Sequence, residues 1–404
     1  MRKCLIAAVL AIAFLRVTPL CAQDGGPSAD SVRVRIGPLM MNPTISLTNI
    51  GVDHNVFNVA PDKGPVQDFT FTVSPNTDFW LRAGGTWITA TMNESINWYQ
   101  KYSSERTANN EYKLGWIVPT SHIGFKINGA YTNARERPGF EIDTRAARKE
   151  TLFTTSLDFK GLPKTFFGVT ASRQQTRFAN DAEYLGVSLQ ETLNRINSSY
   201  GLTLRYQATP LTSITISATR SKDGFEFSSD RDTTSTAIQA AATFAPAALI
   251  KGNVSFGFTD FKPNSPDLPQ YKGAIGEANL TYVLLGATRF ALNAGRGVQY
   301  SYDANQPYYL QTRIGGSITQ QLFGPFDVQA RGDYAILAYR DRVGSQLEVT
   351  DRTDHKKTYG MGIGLHMGKD LRLAFNVDQD NRDTKVAEHQ YEKFLVGTSL
   401  TYGF

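Results

Sequence analysis

A transmembrane antiparallel up-and-down β-barrel of about 16–18 strands is the fold class this sequence predicts, and three observations predict it. The stretch from Tyr391 to Phe404 alternates, with Leu395 the one exception: Phe394, Val396, Thr398, Leu400, Tyr402 and Phe404 share one face, and Lys393, Gly397, Ser399, Thr401 and Gly403 share the other. Eight short turn signals recur about every 36 to 49 residues, each flanked by alternating stretches long enough for the 9–11 residues of a tilted membrane strand. The N-terminus reads as a secretory leader, and no later apolar run reaches the length of a membrane helix. An exported chain that enters lipid without such a helix must close its strands into a barrel, because lipid satisfies no backbone hydrogen bond.

The leader is read as residues 1–22, with basic Arg2 and Lys3, the apolar run Cys4 to Leu15, and Ala22 before the cleavage point. The residues ahead of Cys21 (Thr18, Pro19, Leu20) lack the small side chain that a lipoprotein site needs. Both cysteines, Cys4 and Cys21, leave with the leader, so disulfides, thiol catalysis and thiolate metal sites are excluded for the mature chain. Arg2, Lys3 and Arg16 leave too, which takes the basic count from 42 to 39 against 37 acids. The mature charge is then 39 − 37 = +2, too small to indicate a polyanionic partner.

Residues 23–43 are expected to be a periplasmic segment and residues 44–404 the barrel. The opening strand, from about Thr44 to Asp53, changes parity between Ile45/Leu47 and Ile50/Val52, which predicts a bulge near Asn49. Short turns follow at Arg82–Gly85, Val118–Ser121, Lys160–Pro163, Thr209–Thr212, Ala245–Ala247, Leu285–Ala287, Phe323–Pro325 and Gly368–Asp370. Between them lie longer polar connections such as Ala134–Arg148, Phe178–Asn194 and Arg342–Asp354. Short turns on one rim and long loops on the other put the turns and both termini in the periplasm. Gly397, Leu400, Tyr402 and Phe404 form the expected assembly signal of the closing strand.

The segment Arg35-Ile-Gly-Pro-Leu-Met-Met-Asn-Pro-Thr-Ile-Ser-Leu-Thr48, followed by Gly51-Val-Asp-His-Asn-Val-Phe57, resembles the opening of the β-barrel porin 2 family. Phe69 to Pro75, Val298 to Asp303 and Tyr308 to Leu310 also resemble strands of such barrels. The resemblance implies an outer-membrane barrel, with some relatives linked to exopolysaccharide export. It carries over no catalytic or ligand residue.

No metal, cofactor or catalytic constellation is expected. His54, His122, His355, His366 and His389 sit in no nucleophile-elbow or zinc-protease pattern, and Asp354-His355 is the best rim pair for a hydrolase, set against a plain solvated pair. Gly360-Met-Gly362-Ile-Gly364 misses phosphate-loop spacing and reads as small residues on the lumen face. The lumen-lining candidates are Lys113, Lys126, Arg195, Arg205, Glu277, Arg313, Arg331, Asp333, Arg372 and Lys393, where opposed charges either set selectivity or simply pair. Glu94, Arg173, Arg220 and Arg296 fall on the apolar parity, tolerable at the rims or in a protein contact. Trp80, Trp87, Trp98 and Trp116 are read as interfacial girdles.

The function expected from these features is a porin-like channel in the bacterial outer membrane, passing small polar solutes or exporting polysaccharide. The alternatives are a structural or assembly barrel with an occluded lumen and, below it, the rim hydrolase. Expected partners are outer-membrane lipid and lipopolysaccharide, the barrel-assembly machinery, and polysaccharide or periplasmic export components, with no nucleic acid.

Overall fold

The structure is a computed structural model that describes residues 32–403 except 121, 247, 348 and 369. The leader expected at residues 1–22 and Phe404 lie outside the described residues. The main sheet has nineteen strands, of which Val34–Ile36 is a short hairpin arm paired only with the next strand. The other eighteen form the barrel. They are β1 (Leu39–Asp53), β2 (Asp68–Ala83), β3 (Thr86–Tyr99), β4 (Thr107–Pro119), β5 (Ile123–Glu136) and β6 (Ala146–Leu162). Then come β7 (Thr165–Phe178), β8 (Arg195–Thr209), β9 (Thr212–Phe225), β10 (Thr233–Phe244), β11 (Ile250–Pro263) and β12 (Tyr271–Leu284). The last are β13 (Thr288–Tyr300), β14 (Tyr308–Gln321), β15 (Phe326–Arg340), β16 (Thr353–Met367), β17 (Leu371–Asp383) and β18 (Tyr391–Tyr402). Each pairs antiparallel with its successor, and β18 returns to β1 through Ile45↔Tyr402 to Asp53↔Leu395, which leaves no barrel edge open end to end.

The alternation has a physical consequence. On β8 and β11 the outward Tyr200, Leu202, Phe256 and Phe258 are 58–68% exposed, while the inward partners are Thr, Ser, Asn and Gly. Such a surface would aggregate in water and is at home in lipid.

The opening strand starts at Leu39, five residues before Thr44. Its early part pairs with β2 alone (Leu39↔Leu81), and Pro43 sits where no β18 partner needs its missing N–H. The bulge is present: Asn49 has φ 54 and the register with both neighbours shifts between Leu47 and Gly51.

One seam is incomplete. β12 and β13 pair from Leu284↔Thr288 only as far as Gly276↔Arg296. Above that rung the hairpin top of β13 and β14 lies inside the barrel mouth. Tyr300 is outward by register, yet its ring meets Phe225 at 4.9 Å and Phe261 at 6.1 Å, and its hydroxyl lies 2.5 Å from Thr233 Oγ1, all on the inner faces of β9–β11. Where β12 loses its neighbour, the Tyr271 hydroxyl donates to the carbonyl of Ala274 at 2.9 Å.

Apolar burial is concentrated at the loop end. Ile142, Ala146, Phe178, Ala182, Tyr184, Leu189, Leu193 and Tyr302 form one cluster, which includes the short helix α1 (Leu189–Leu193). Tyr309, Ala335, Leu337 and Tyr339 form a second, packed against Phe140. On β15 the inward row thus changes from Asp327, Arg331 and Asp333 near the turns to Ala335, Leu337 and Tyr339 near the loops.

Candidate functional site

The barrel interior is the candidate site, and it has a charged shaft and a plugged mouth. In the shaft, ion pairs step across whole strands. Arg331 on β15 makes a bidentate pair with Asp378 on β17 (Nε–Oδ1 2.8 Å, Nη2–Oδ2 2.5 Å), passing over Gly360 of β16. A Cβ on Gly360 would stand 2.2 Å from Asp378 Oδ1 and 2.5 Å from Arg331 Nε. Arg372 pairs with Asp327 at 2.8 and 2.6 Å across Gly364 in the same way, and His366 Nε2 reaches the same carboxylate at 2.7 Å. Arg205 joins Asp158 at 3.2 Å over Gly168, its guanidinium 4.2 Å from the centre of the Phe166 ring. The glycine run of β16 is therefore the clearance beneath two bridging pairs.

The remaining lining candidates are engaged too. Arg313 contacts Asp333 at 2.6 Å, Lys113 contacts Glu111 at 2.8 Å, Lys393 contacts Asp53 at 2.6 Å, and Arg195 lies 4.0 Å from Asp223. Glu277 accepts from Asn279 Nδ2 at 2.7 Å, and Lys126 is buried. Polar cavities remain between these groups. One of about 500 Å³ is lined by Asn76, Asn93, Glu111, Arg148 and Glu150, and one of about 420 Å³ by Arg289, Asp327, His366 and Arg372. Both have room for many waters.

Loops from separate sectors meet across the mouth. The connection 137–145 between β5 and β6 sends Glu141 to Ser301 Oγ (2.7 Å) and the Tyr302 N–H (3.2 Å), which both donate to its carboxylate. Arg382 donates to the Glu141 carbonyl at 2.6 Å, to Asp143 at 2.5 Å and to Asp354 at 2.5 Å. Arg352 completes the cluster with a bidentate contact to Asp354 at 3.0 and 2.7 Å. Arg137 donates to the Val56 carbonyl at 2.7 Å, tying in the loop between β1 and β2. His389 lies between two hydroxyls, Tyr184 on Nδ1 and Tyr302 on Nε2, each at 3.1 Å. Arg231 donates to the carbonyls of Ser301 and Pro307 at 2.6 Å and of Thr192 at 2.9 Å, pinning the inserted hairpin.

Burial sets the protonation of these loop groups. It pushes the Glu141 carboxyl up to about 7, against the opposing pull of the Ser301 hydroxyl, Arg352 and Arg382. It pushes His389 down to about 3, helped by the positive charges of Arg352 and Arg382. It lowers Arg231 to about 10. At neutral pH the plug therefore holds a neutral imidazole and a carboxyl near its midpoint.

Asp354 and His355, adjacent on β16, point to opposite faces. Asp354 is enclosed by Arg352, Arg382 and Thr384, while His355 Nδ1 lies 2.7 Å from the Tyr334 hydroxyl. They do not form an acid–base pair. The girdle is also corrected in part. Trp98 and Trp116 take outward registers, but Trp87 is inward and buried against Arg82, and Trp80 shares its face.

Sequence reasoning did not single out Glu141, Asp143, Arg352 or Arg382. A signal was present: Phe140 and Ile142, like Leu189 and Leu193, are apolar residues inside connections otherwise polar enough to be solvated.

A family model described as "Putative beta-barrel porin 2" matches residues 27–404. Among solved structures, similar ones include a BenF-like porin from Pseudomonas fluorescens Pf-5, at 10% identity over 91% of this chain and 98% of that one, with a TM-score of 0.46. Outer membrane protein opdK of Pseudomonas aeruginosa matches at 9% identity over 90% and 98%, with a TM-score of 0.45. OccAB3 of Acinetobacter baumannii matches at 8% over 90% and 98%, with a TM-score of 0.44. No curated protein matches the chain.

Proposed function

The chain belongs to the β-barrel porin 2 family, and from that premise we propose that this outer-membrane barrel is a channel for small polar solutes whose mouth is restricted by its own loops. The observation that carries the reading is the polar lining, which runs along the inner faces of the strands up to the plug and leaves cavities roomy enough for water between its ion pairs. Solutes diffuse through the shaft, and the loops around Glu141, Arg382 and His389 set the narrowest passage. Polymer export is the weaker reading, because Phe140, Tyr184 and Tyr302 occupy the mouth that a chain of sugars would need open.

Single-channel recording of the refolded mature protein in planar bilayers tests the proposal, with a variant lacking Pro138–Thr144 as comparison. Small ohmic steps that grow when the segment is removed support a loop-restricted channel. Block by added oligosaccharide would shift the substrate class toward glycans. Silence from both proteins, with folding and insertion verified, overturns the channel and leaves a structural barrel with an occluded lumen.

A further inference from the structure

The four charges that break the apolar parity stand at one height. Counted from the short turns, Glu94 is the ninth residue of β3 (Thr86 + 8), Arg173 of β7 (Thr165 + 8), Arg220 of β9 (Thr212 + 8) and Arg296 of β13 (Thr288 + 8). Nine tilted strand residues rise roughly 20 Å, close to the height of a barrel's apolar band. These residues therefore mark the outer edge of the hydrocarbon on the loop side.

At and above that edge, one sector is basic. Arg173 and Lys222 lie on the same rung, each opposite Ser198 of β8, and Arg220 is opposite the neighbouring Tyr200. Lys149 of β6 extends the group upward, its own rung falling opposite Arg177. All four side chains are exposed and outward. Below them the outward Phe167, Val169 and Leu202 are at least half exposed, and Phe153, on the rung of Arg173, is too.

Pairing separates these cations from the lumen set and from their paired outward neighbours. Most lumen cations of the lining set stand against a carboxylate, and nearby outward ones do as well: Arg177 against Glu226 at 3.5 Å, Lys262 and Lys272 against Asp260 at 2.9 and 3.4 Å. Among the described residues, Lys149, Arg173, Arg220 and Lys222 have no hydrogen-bond or ion-pair partner. Four uncompensated cations within about 20 Å, standing directly above an acyl-chain surface, complement a lipid whose head carries anionic phosphate.

We propose that the outward face of β6–β9 is a binding site for the phosphorylated head of an outer-leaflet glycolipid, with Lys149, Arg173, Arg220 and Lys222 on its phosphates and its acyl chains along Phe153, Phe167, Val169 and Leu202. The site holds the barrel in the asymmetric outer leaflet and is independent of whether the lumen conducts. Arginine suits the task through its bidentate fork, and lysine as a mobile point charge.

The test uses the full mature chain refolded in zwitterionic detergent, with heat-modifiable migration as the check on folding. Binding is measured by native mass spectrometry with three probes: a bis-phosphorylated lipid A, its dephosphorylated form, and phosphatidylglycerol. The proposal expects lipid A to bind and its dephosphorylated form to fail. It expects the K149Q/R173Q/R220Q/K222Q variant to lose roughly a hundredfold or more in affinity at low salt, taking about fivefold per cation near a charged surface. K357Q, an outward cation in another sector, should bind as wild type. Equal binding by the quadruple variant, or by the dephosphorylated lipid, overturns the site. Phosphatidylglycerol binding as tightly as lipid A overturns the glycolipid as its source.

Discussion

At the residue scale, an inward glycine in this barrel is the space beneath an ion pair. Gly360 predicts a particular non-additivity. Gly360→Ala pushes a methyl into the Arg331–Asp378 bridge and should cost about 1 kcal/mol, since the pair is a fifth to a third exposed and so partly screened. In an Asp378→Ala background most of that cost should vanish, and a double-mutant cycle read by thermal unfolding in detergent measures it. Protonation in the plug gives a second prediction. Glu141, raised from 4.5 to about 7, keeps its proton in the closed plug while a solvated loop loses it. Closure is therefore weakened as pH rises from 4.5 to 7, by about 3 kcal/mol in all. His389, lowered from 6.5 to about 3, stays neutral in the plug while a solvated loop gains a proton, so closure is weakened as pH falls from 6.5 to 3. Between 4.5 and 6.5 the two slopes cancel. Protease sensitivity of the loops should be lowest there and rise on both sides, and Glu141→Gln should abolish the alkaline rise and let the acid rise begin near 6.5 instead of 4.5, because the histidine slope is then unopposed.

At the scale of the element, strand alternation was legible because side chains on a pleated strand obey a period of two whatever lies on either side. The turns, the bulge at Asn49 and the outward parity of Arg173 and Arg220 all follow from it. The ends of strands were less legible. β1 begins before Thr44 because β2 is long enough to pair with it, a fact about a neighbour that its own residues do not state. The plug was hidden for the same reason: Glu141 meets Ser301 across 160 positions, and only closure of the barrel brings them together. The seam between β1 and β18 depends on one close approach. A Cβ on Gly51 would stand 1.9 Å from the Val396 carbonyl oxygen and 2.5 Å from the Gly397 Cα, and backbone atoms there have nowhere to move. Gly51→Ala should break the last pairing of the cylinder and lower the yield of heat-modifiable, folded protein, whereas Gly85→Ala, with open space around it, should not.

For the whole molecule, the charge pattern separates what stabilises the barrel from what would select a solute. Most lining cations in the shaft already face a carboxylate, so the field along the axis is that of dipoles, which falls off faster than that of single charges. A channel built this way should discriminate weakly between small cations and anions, and its reversal potential in a potassium chloride gradient should lie near zero. The same argument shows how to create selectivity. Asp327 is 1% exposed and holds both Arg372 and His366, so Asp327→Asn leaves the guanidinium with a neutral acceptor and a full uncompensated charge beside a cavity of about 420 Å³. The exchange keeps the side chain's volume, which limits the folding cost, gives up one of the two guanidinium hydrogen bonds because the amide nitrogen donates instead of accepting, and leaves the local field net positive. The variant should shift the reversal potential toward chloride, and the shift should shrink as the salt is raised from 0.1 to 1 M, where the screening length drops from about 10 to 3 Å. A wild-type barrel that is strongly selective, or a variant whose reversal potential does not move, would mean that ions do not pass beside this pair and that the permeation path lies elsewhere in the shaft.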